Sequence, residues 1–124
     1  MMLYYLGTPY RADPANNYLR VNQIAAELLV KGIKVFSPIS HSHPIGALLP
    51  AEVNSSHQFW MSVDEPFMWL CDGLIVVQAP GWESSRGLAE EIGHFKGQGK
   101  PIVYYAPADD ISLLIAKLAA NALD

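Results

Sequence analysis

A three-layer α/β sandwich, with helices on both faces of a parallel sheet of about four strands in the order 2-1-3-4, is the fold that the sequence predicts. Two patterns carry that expectation. Short, continuously apolar runs of strand length alternate with longer segments whose apolar residues recur every three or four positions. Such alternation marks βαβ units, whose right-handed crossovers place helices on both sides of the sheet. The 124 residues, 51% of them hydrophobic, show no repeat, low-complexity stretch or linker, so they fit one domain over 1–124 with a sizeable core.

The first strand is the unbroken apolar run 2–6, closed by Gly7, Thr8 and Pro9 and suited to burial on both faces. The period then changes. Tyr18, Val21, Ile24, Ala25, Leu28 and Leu29 recur at helical spacing, Asp13 and Pro14 supply an N-cap and a first-turn proline, and Gly32 stands where a glycine stops a helix. These signals predict a helix over 14–31. Residues 33–36 read as the second strand, ended by Ser37 and Pro38, and they open a loop rich in His, Ser, Pro and Gly that runs to about residue 54. A loop of that length suggests function. Over 55–70, Phe59, Val63, Phe67 and Leu70 keep helical spacing, while Pro66 predicts a break or kink near Asp64 and Glu65. Residues 74–77 form the third strand, 85–97 a helix that buries Leu88, Ile92 and Phe95, and 101–105 the fourth strand. A last helix, capped by Asp109 or Asp110, carries Ile111, Leu114, Ile115 and Leu118 on one face. In a flavodoxin-like sheet of this order, ligands bind beyond the carboxyl ends of the strands, at the switch point between the first and third. The segments 7–13, 37–54, 79–86 and 106–110 therefore border the expected site.

Charge and cysteine content narrow the partners. A net charge of -4 with no basic run argues against a nucleic-acid duplex or an anionic membrane and leaves room only for a small anion. The single cysteine, Cys71, allows neither an intrachain disulfide nor a thiolate zinc site, and it lies beside a buried strand as inert core. No apolar run reaches the length of a spanning helix, and the start lacks the basic and apolar regions of a signal peptide, so a cytoplasmic location is expected.

The most informative stretch runs from Gly81 through Trp82, Glu83, Ser84, Ser85, Arg86 and Gly87 to Glu90 and Glu91. It sets hydroxyls, a guanidinium and free backbone N–H groups at a helix start, where unpaired donors and the positive dipole end attract an anion such as phosphate. Gly87 permits close approach of a ligand. Glu90 and Glu91 point about 100° apart, so only one of them faces a cleft. The competing reading is an ordinary serine N-cap ahead of an amphipathic helix with two exposed glutamates.

Three matches in chain order resemble the nucleoside 2-deoxyribosyltransferase superfamily, including its 2′-deoxynucleoside 5′-phosphate N-hydrolase branch. Tyr4, Tyr5, Leu6, Gly7, Thr8, Pro9, Tyr10 and Arg11 are similar to that family's first strand and substrate loop. Asp64, followed by an apolar segment and then Cys71, Asp72 and Gly73, resembles its aspartate helix running into the next strand. Ser85, Gly87, Glu91 and Gly93 match its Ser-x-Gly-x-x-x-Glu-x-Gly signature, which selects Glu91 over Glu90. The likeness covers roughly residues 3–105 and extends to small bacterial domains of unassigned function that open with a similar Tyr-Leu-Gly-x-Pro-Tyr sequence. It implies that Glu91 attacks C1′ of a (deoxy)ribosyl group, that Asp64 helps protonate the departing base, and that Tyr5 orients the nucleophile or the sugar. Ser85 would meet the 5′ end, with Arg11 reaching in from the first loop, while Asp72 fixes the start of the third strand. The segment 40–54 has no counterpart in the family's pattern, nor do the family's C-terminal residues that reach a neighbouring subunit's site.

The expected partner is thus a small nucleoside or nucleotide, handled without a metal or cofactor, by a hydrolase or a transferase. His41 and His43 are candidates for contacts to the base; alternating on an extended segment, they point to opposite sides and would not ligate one ion together. His57 is a further imidazole downstream. Trp82 is the stacking candidate, whereas Phe59, Trp60, Phe67 and Trp69 read as core or subunit interface and predict a homodimer or larger assembly. A non-catalytic nucleotide-binding module and a purely structural oligomer are the readings that compete with an enzyme.

Overall fold

The computed structural model describes residues 2–122. Four strands, β1 (Leu3–Gly7), β2 (Lys34–Phe36), β3 (Gly73–Val77) and β4 (Ile102–Tyr105), form one sheet in the order β2-β1-β3-β4. All three pairings are parallel. Six α-helices connect or follow them: α1 (Pro14–Val30), α2 (Pro38–Gly46), α3 (Ala51–Asn54), α4 (His57–Leu70), α5 (Arg86–Gly97) and α6 (Ile111–Ala122). The architecture and strand order are those predicted from the alternation of periods.

Because side chains alternate along a strand, neighbouring residues of β1 enter different layers. Tyr4 and Leu6 join Ile75, Val77, Val103 and Tyr105 beneath α1 and α6, where Val21, Leu28, Leu114 and Leu118 are buried. Tyr5 turns the other way and joins Leu74 and Val76 beneath α4 and α5, with Met68, Leu88 and Phe95. Both faces of β3 are covered, and all five of its residues are buried. Asp72 fixes the start of β3 through two bonds to Leu3: its carboxylate accepts from the Leu3 N–H at 2.8 Å, and its own N–H donates to the Leu3 carbonyl at 2.7 Å. Gly73 follows because a Cβ there would stand 2.7 Å from the buried Tyr4 ring and 3.1 Å from the Pro101 carbonyl. Gly32 takes φ +82° and closes α1 by bonds from its own N–H to Leu29 and from the Ile33 N–H to Leu28, the helix stop that its position predicted.

Two expectations are corrected. The segment 37–54 is not a loop: α2 starts directly after β2 with Ser37 as N-cap and Pro38 in the first turn, and α3 follows. Ser-Pro after a strand served there as a helix start, not as a stop. Nor does Pro66 break the helix near Asp64 and Glu65, since α4 runs from its Ser56 cap through Leu70. A proline inside a helix costs about 3 kcal/mol, but beyond it Phe67 stacks on Phe36 at 4.1 Å and Met68 is buried, and two such side chains contribute roughly 3–6 kcal/mol. The aromatic excess that argued for an assembly also shrinks. Phe59 packs on Trp60 and Phe67 on Phe36, leaving Trp69 and Leu70 exposed at the end of α4. No described helix is long and apolar enough to cross a membrane.

Gly73→Ala is expected to destabilise the fold by about 1–3 kcal/mol, because neither the buried Tyr4 ring nor the Pro101 backbone can move cheaply. Thermal or urea unfolding checks it; an unchanged midpoint contradicts the packing described.

Candidate active site

Beyond the carboxyl ends of β1 and β3 lies a cleft of about 960 Å³. Three stretches enclose it. Thr8 to Ala12 follow β1, Ser84 to Leu88 lead into α5, and the wall between β2 and β3 contributes residues of α2, α3 and α4. This is the switch point of the sheet, where the chain leaves β1 toward one edge and β3 toward the other.

Glu91 and Asp64 reach the cleft from α5 and α4, each less than a tenth exposed. Glu91 sits two turns into α5 because Ser85 caps that helix, its hydroxyl accepting from the Leu88 N–H at 3.3 Å. Gly7 makes room for it: a Cβ there would lie 3.1 Å from the Glu91 Oε1 and 3.0 Å from Leu88. Tyr5 is fully buried, and its phenol lies beside the Glu91 carboxylate without closing a hydrogen bond of ordinary geometry. The Asp64 Oδ1 is likewise buried without a partner. Unpartnered buried polar atoms such as these, one on β1 and one on α4, are costly, and they are the kind that a ligand satisfies.

Burial governs their protonation. It pushes Glu91 up to about 8; the Tyr5 phenol opposes this, and the charges of Asp64 and Glu90 add to it. Burial alone pushes Asp64 up to about 7. Burial and the two nearby carboxylates also raise the Tyr5 phenol, so it stays a neutral donor. Near neutral pH the pair retains a proton, an arrangement in which one carboxyl group can donate while the other acts as an anion.

Glu90 lies outside this pair. It is exposed on the next face of α5, where it accepts from or pairs with the His57 Nε2 at 2.9 Å and the Arg86 Nε at 3.4 Å. The His57 bond holds Glu90 below the usual carboxylate range despite some desolvation, and Arg86 adds to that.

The structure brings together Tyr5, Gly7, Thr8, Pro9, Arg11, Asp64, Ser84, Ser85, Arg86, Gly87 and Glu91. Arg11 borders the mouth and donates to the Ser55 carbonyl at 3.2 Å, while the Ser84 hydroxyl donates to the Gly81 carbonyl at 3.2 Å. A Cβ at Gly87 would meet open space. Three candidates fall elsewhere. Trp82 packs edge-on against Tyr104 at 5.9 Å, beside the second apolar cluster and away from the cleft. His41 lies 6.1 Å from the rings of Phe36 and Phe67. His43 stacks on Tyr18 at 4.1 Å and bonds the Tyr10 hydroxyl at 2.6 Å, so it acts on the cleft only through Tyr10. The reason is the helix that replaces the expected loop: Ile39 and Ser42 share the face of α2 that lines the cleft, position 41 turns from it, and His43, next to that face, is taken up by Tyr10 and Tyr18. His57, the downstream imidazole, does line the cleft, and so do Trp60 and Met61, which the sequence reading missed there. The signal for them was present, since they precede Asp64 by seven, four and three positions on one stripe of α4. Among the described residues no group of three or more His, Cys, Asp or Glu could hold a metal ion.

A raised carboxyl pKa makes the folded chain hold a proton that the unfolded chain has lost. Stability from this source is therefore complete below about pH 4 and falls as pH rises toward 8. Glu91→Gln is accordingly expected to raise the melting temperature at pH 8 by roughly 5–10 °C, on the order of 2 kcal/mol, and to change it little at pH 4.5. Melting curves of both proteins across that range check it; a pH-independent difference contradicts the burial argument.

The model of a domain of unknown function, DUF1937, matches residues 3–107, and the chain belongs to that family. No curated protein matches it.

Proposed function

We propose that this member of the DUF1937 family cleaves or transfers the N-glycosidic bond of a (deoxy)nucleoside or nucleoside 5′-monophosphate, with Glu91 as nucleophile. The observation that carries the reading is the pair of buried carboxyl groups, Glu91 beside the Tyr5 phenol and Asp64 with its Oδ1 unpartnered, on two helices lining one cleft at the switch point of the sheet. The motif resemblance of Ser85, Gly87 and Glu91 supports the same assignment.

The chemistry balances with these groups alone. The Glu91 carboxylate attacks C1′ as the bond from C1′ to the base nitrogen breaks, and the electron pair leaves with the base, which takes the proton held by Asp64. Burial raises Glu91 further than Asp64, so in the empty cleft the proton favours Glu91; positive charge developing on the sugar draws the anion to Glu91, beside the Tyr5 phenol, and leaves the proton to Asp64. The glycosyl ester is then opened at C1′ by water or a second acceptor; the Asp64 carboxylate takes the acceptor's proton and Glu91 leaves as the anion. Ser85, Arg86 and the first turn of α5 lie where a 5′ substituent would end, with Arg11 across the mouth.

Glu91→Gln is expected to fold and to lose roughly a thousandfold or more in turnover, because an amide cannot form the ester, whereas Glu90→Gln keeps most of it. A product screen over ribo- and deoxyribonucleosides and their monophosphates, repeated on both variants, checks it. Native turnover by Glu91→Gln would remove the proposal.

The start of α5 generates a second expectation. A phosphate held by charge-assisted bonds there contributes on the order of 1–3 kcal/mol, so a 5′-monophosphate should bind roughly ten- to a hundredfold tighter than its nucleoside, with a gain that fades in salt. Calorimetric titration of matched pairs on native protein and Arg86→Ala tests this. Equal affinities, or no loss on removing Arg86, would leave Ser85 as a cap and Arg86 as a partner of Glu90 alone.

A further inference from the structure

We infer that Trp60 is a preset stacking surface for the planar heteroaromatic group of the substrate, positioned by Asn54 and Gly46; this rests on the N-glycosidic reading above and names the part of the cleft that takes the base. Trp60 lines the cleft yet belongs to neither apolar cluster of the core, so packing of the fold does not account for it. Its one polar atom is already engaged: the indole N–H donates to the Asn54 carbonyl at 2.9 Å, with the Asn54 Oδ1 at 3.3 Å. What the ring offers the cleft is therefore carbon and π surface. Such a surface suits the π-face of a flat base.

The ring is also held on two sides. Phe59 meets it edge-on, with centroids 5.0 Å apart and planes at 78°. Asn54, the last residue of α3, sits directly on Gly46 at the end of α2, where any Cβ would overlap the Asn54 side chain. Gly46 is thus a positioning residue for Asn54, and Asn54 for Trp60. Fixing a ring before the ligand arrives lowers the ordering cost of binding.

Its place relative to Asp64 completes the argument. Trp60 precedes Asp64 by one helical turn on the stripe of α4 that faces the cleft, roughly 6 Å along the helix axis. The group assigned to protonate a departing base and the surface suited to stack that base are adjacent on one helix. Arg86, Ser85 and the start of α5 border the same cleft on another segment, where the sugar end belongs.

The test uses free adenine and free uracil as probes of the base side and 2-deoxyribose 5-phosphate as a probe of the sugar side. Affinities are read by calorimetry, and Trp60 is followed by fluorescence quenching in the native protein and in Trp60→Phe. The expected result is that at least one base binds, that Trp60→Ala weakens it roughly tenfold or more, and that Trp60→Phe stays within a few-fold of native. Asn54→Ala, which removes the Oδ1 contact but keeps the backbone carbonyl that accepts the indole N–H, should change base binding by no more than a few-fold; 2-deoxyribose 5-phosphate should bind all variants alike. Failure of both bases to bind the native protein at millimolar concentration, unchanged base affinity in Trp60→Ala, or an equal loss for the sugar phosphate would each overturn the inference. Base binding through Trp60 without turnover of any substrate would sink the catalytic reading alone. Glu91-dependent turnover with kcat/KM untouched by Trp60→Ala would sink the stacking role alone.

Discussion

Glu91 is buried against Gly7, and this contact constrains much of what surrounds it. A carboxylate in an apolar setting opposes folding whenever it is ionised, so the surrounding structure must hold it there. The apolar cluster beneath α4 and α5 supplies that hold. Leu88 and Phe95, on the same helix as Glu91, are fully buried against β1, β3 and α4. With α5 pinned on both sides of Glu91, the carboxyl group cannot swing to solvent without withdrawing those side chains from the core. Room for it exists only because β1 ends in a residue without a side chain.

The register of the sheet carries the same constraint. Tyr5 pairs with Phe36 on one side and Leu74 on the other, and Gly7 pairs with Val76. A slip of one residue in β1 would set Leu6 or Thr8 where Gly7 makes room for the Glu91 carboxyl group, and the slip that brings Leu6 to the place of Tyr5 would also take the phenol away. The two bonds between Asp72 and Leu3 secure that register at the far end of the strands. A polar clamp at one end of the sheet thus helps fix the geometry at the other.

Much of this could be read from the sequence, and what could not has physical reasons. The four strands and the helices after β1, β3 and β4 announced themselves through period and punctuation, as with Asp13, Pro14 and Gly32 around α1. The register of Ser85, Gly87 and Glu91 placed Glu91 inward and Glu90 outward, and the exposed pairing of Glu90 with His57 and Arg86 agrees with that placement. The wall formed by α2 and α3 was hidden because its residues favour turns by local preference; it is helical because tertiary contacts such as the His43 ring on Tyr18 hold it. Pro66 misled for the same reason in reverse. Local propensity argued for a break that packing of Phe67 and Met68 overrode. Trp60 was assigned to core or interface because composition says how many rings a segment has, not which face of its helix each occupies.

The cleft draws its floor and one wall from different parts of the chain. Glu91, Gly7 and Tyr5 belong to strands and a helix locked by the sheet register, whereas Ile39, Ser42, Asn54 and Trp60 come from the crossover between β2 and β3. Residues 38–56 lie outside the sheet, and that stretch can lengthen, shorten or change composition without disturbing any strand pairing. Asp64 stands on α4 in that same crossover, so Glu91 and its neighbours on β1 are the part of the floor held independently of it. Divergence confined to residues 38–56 can reshape the wall while Glu91, Gly7 and Tyr5 keep the geometry that the sheet register sets.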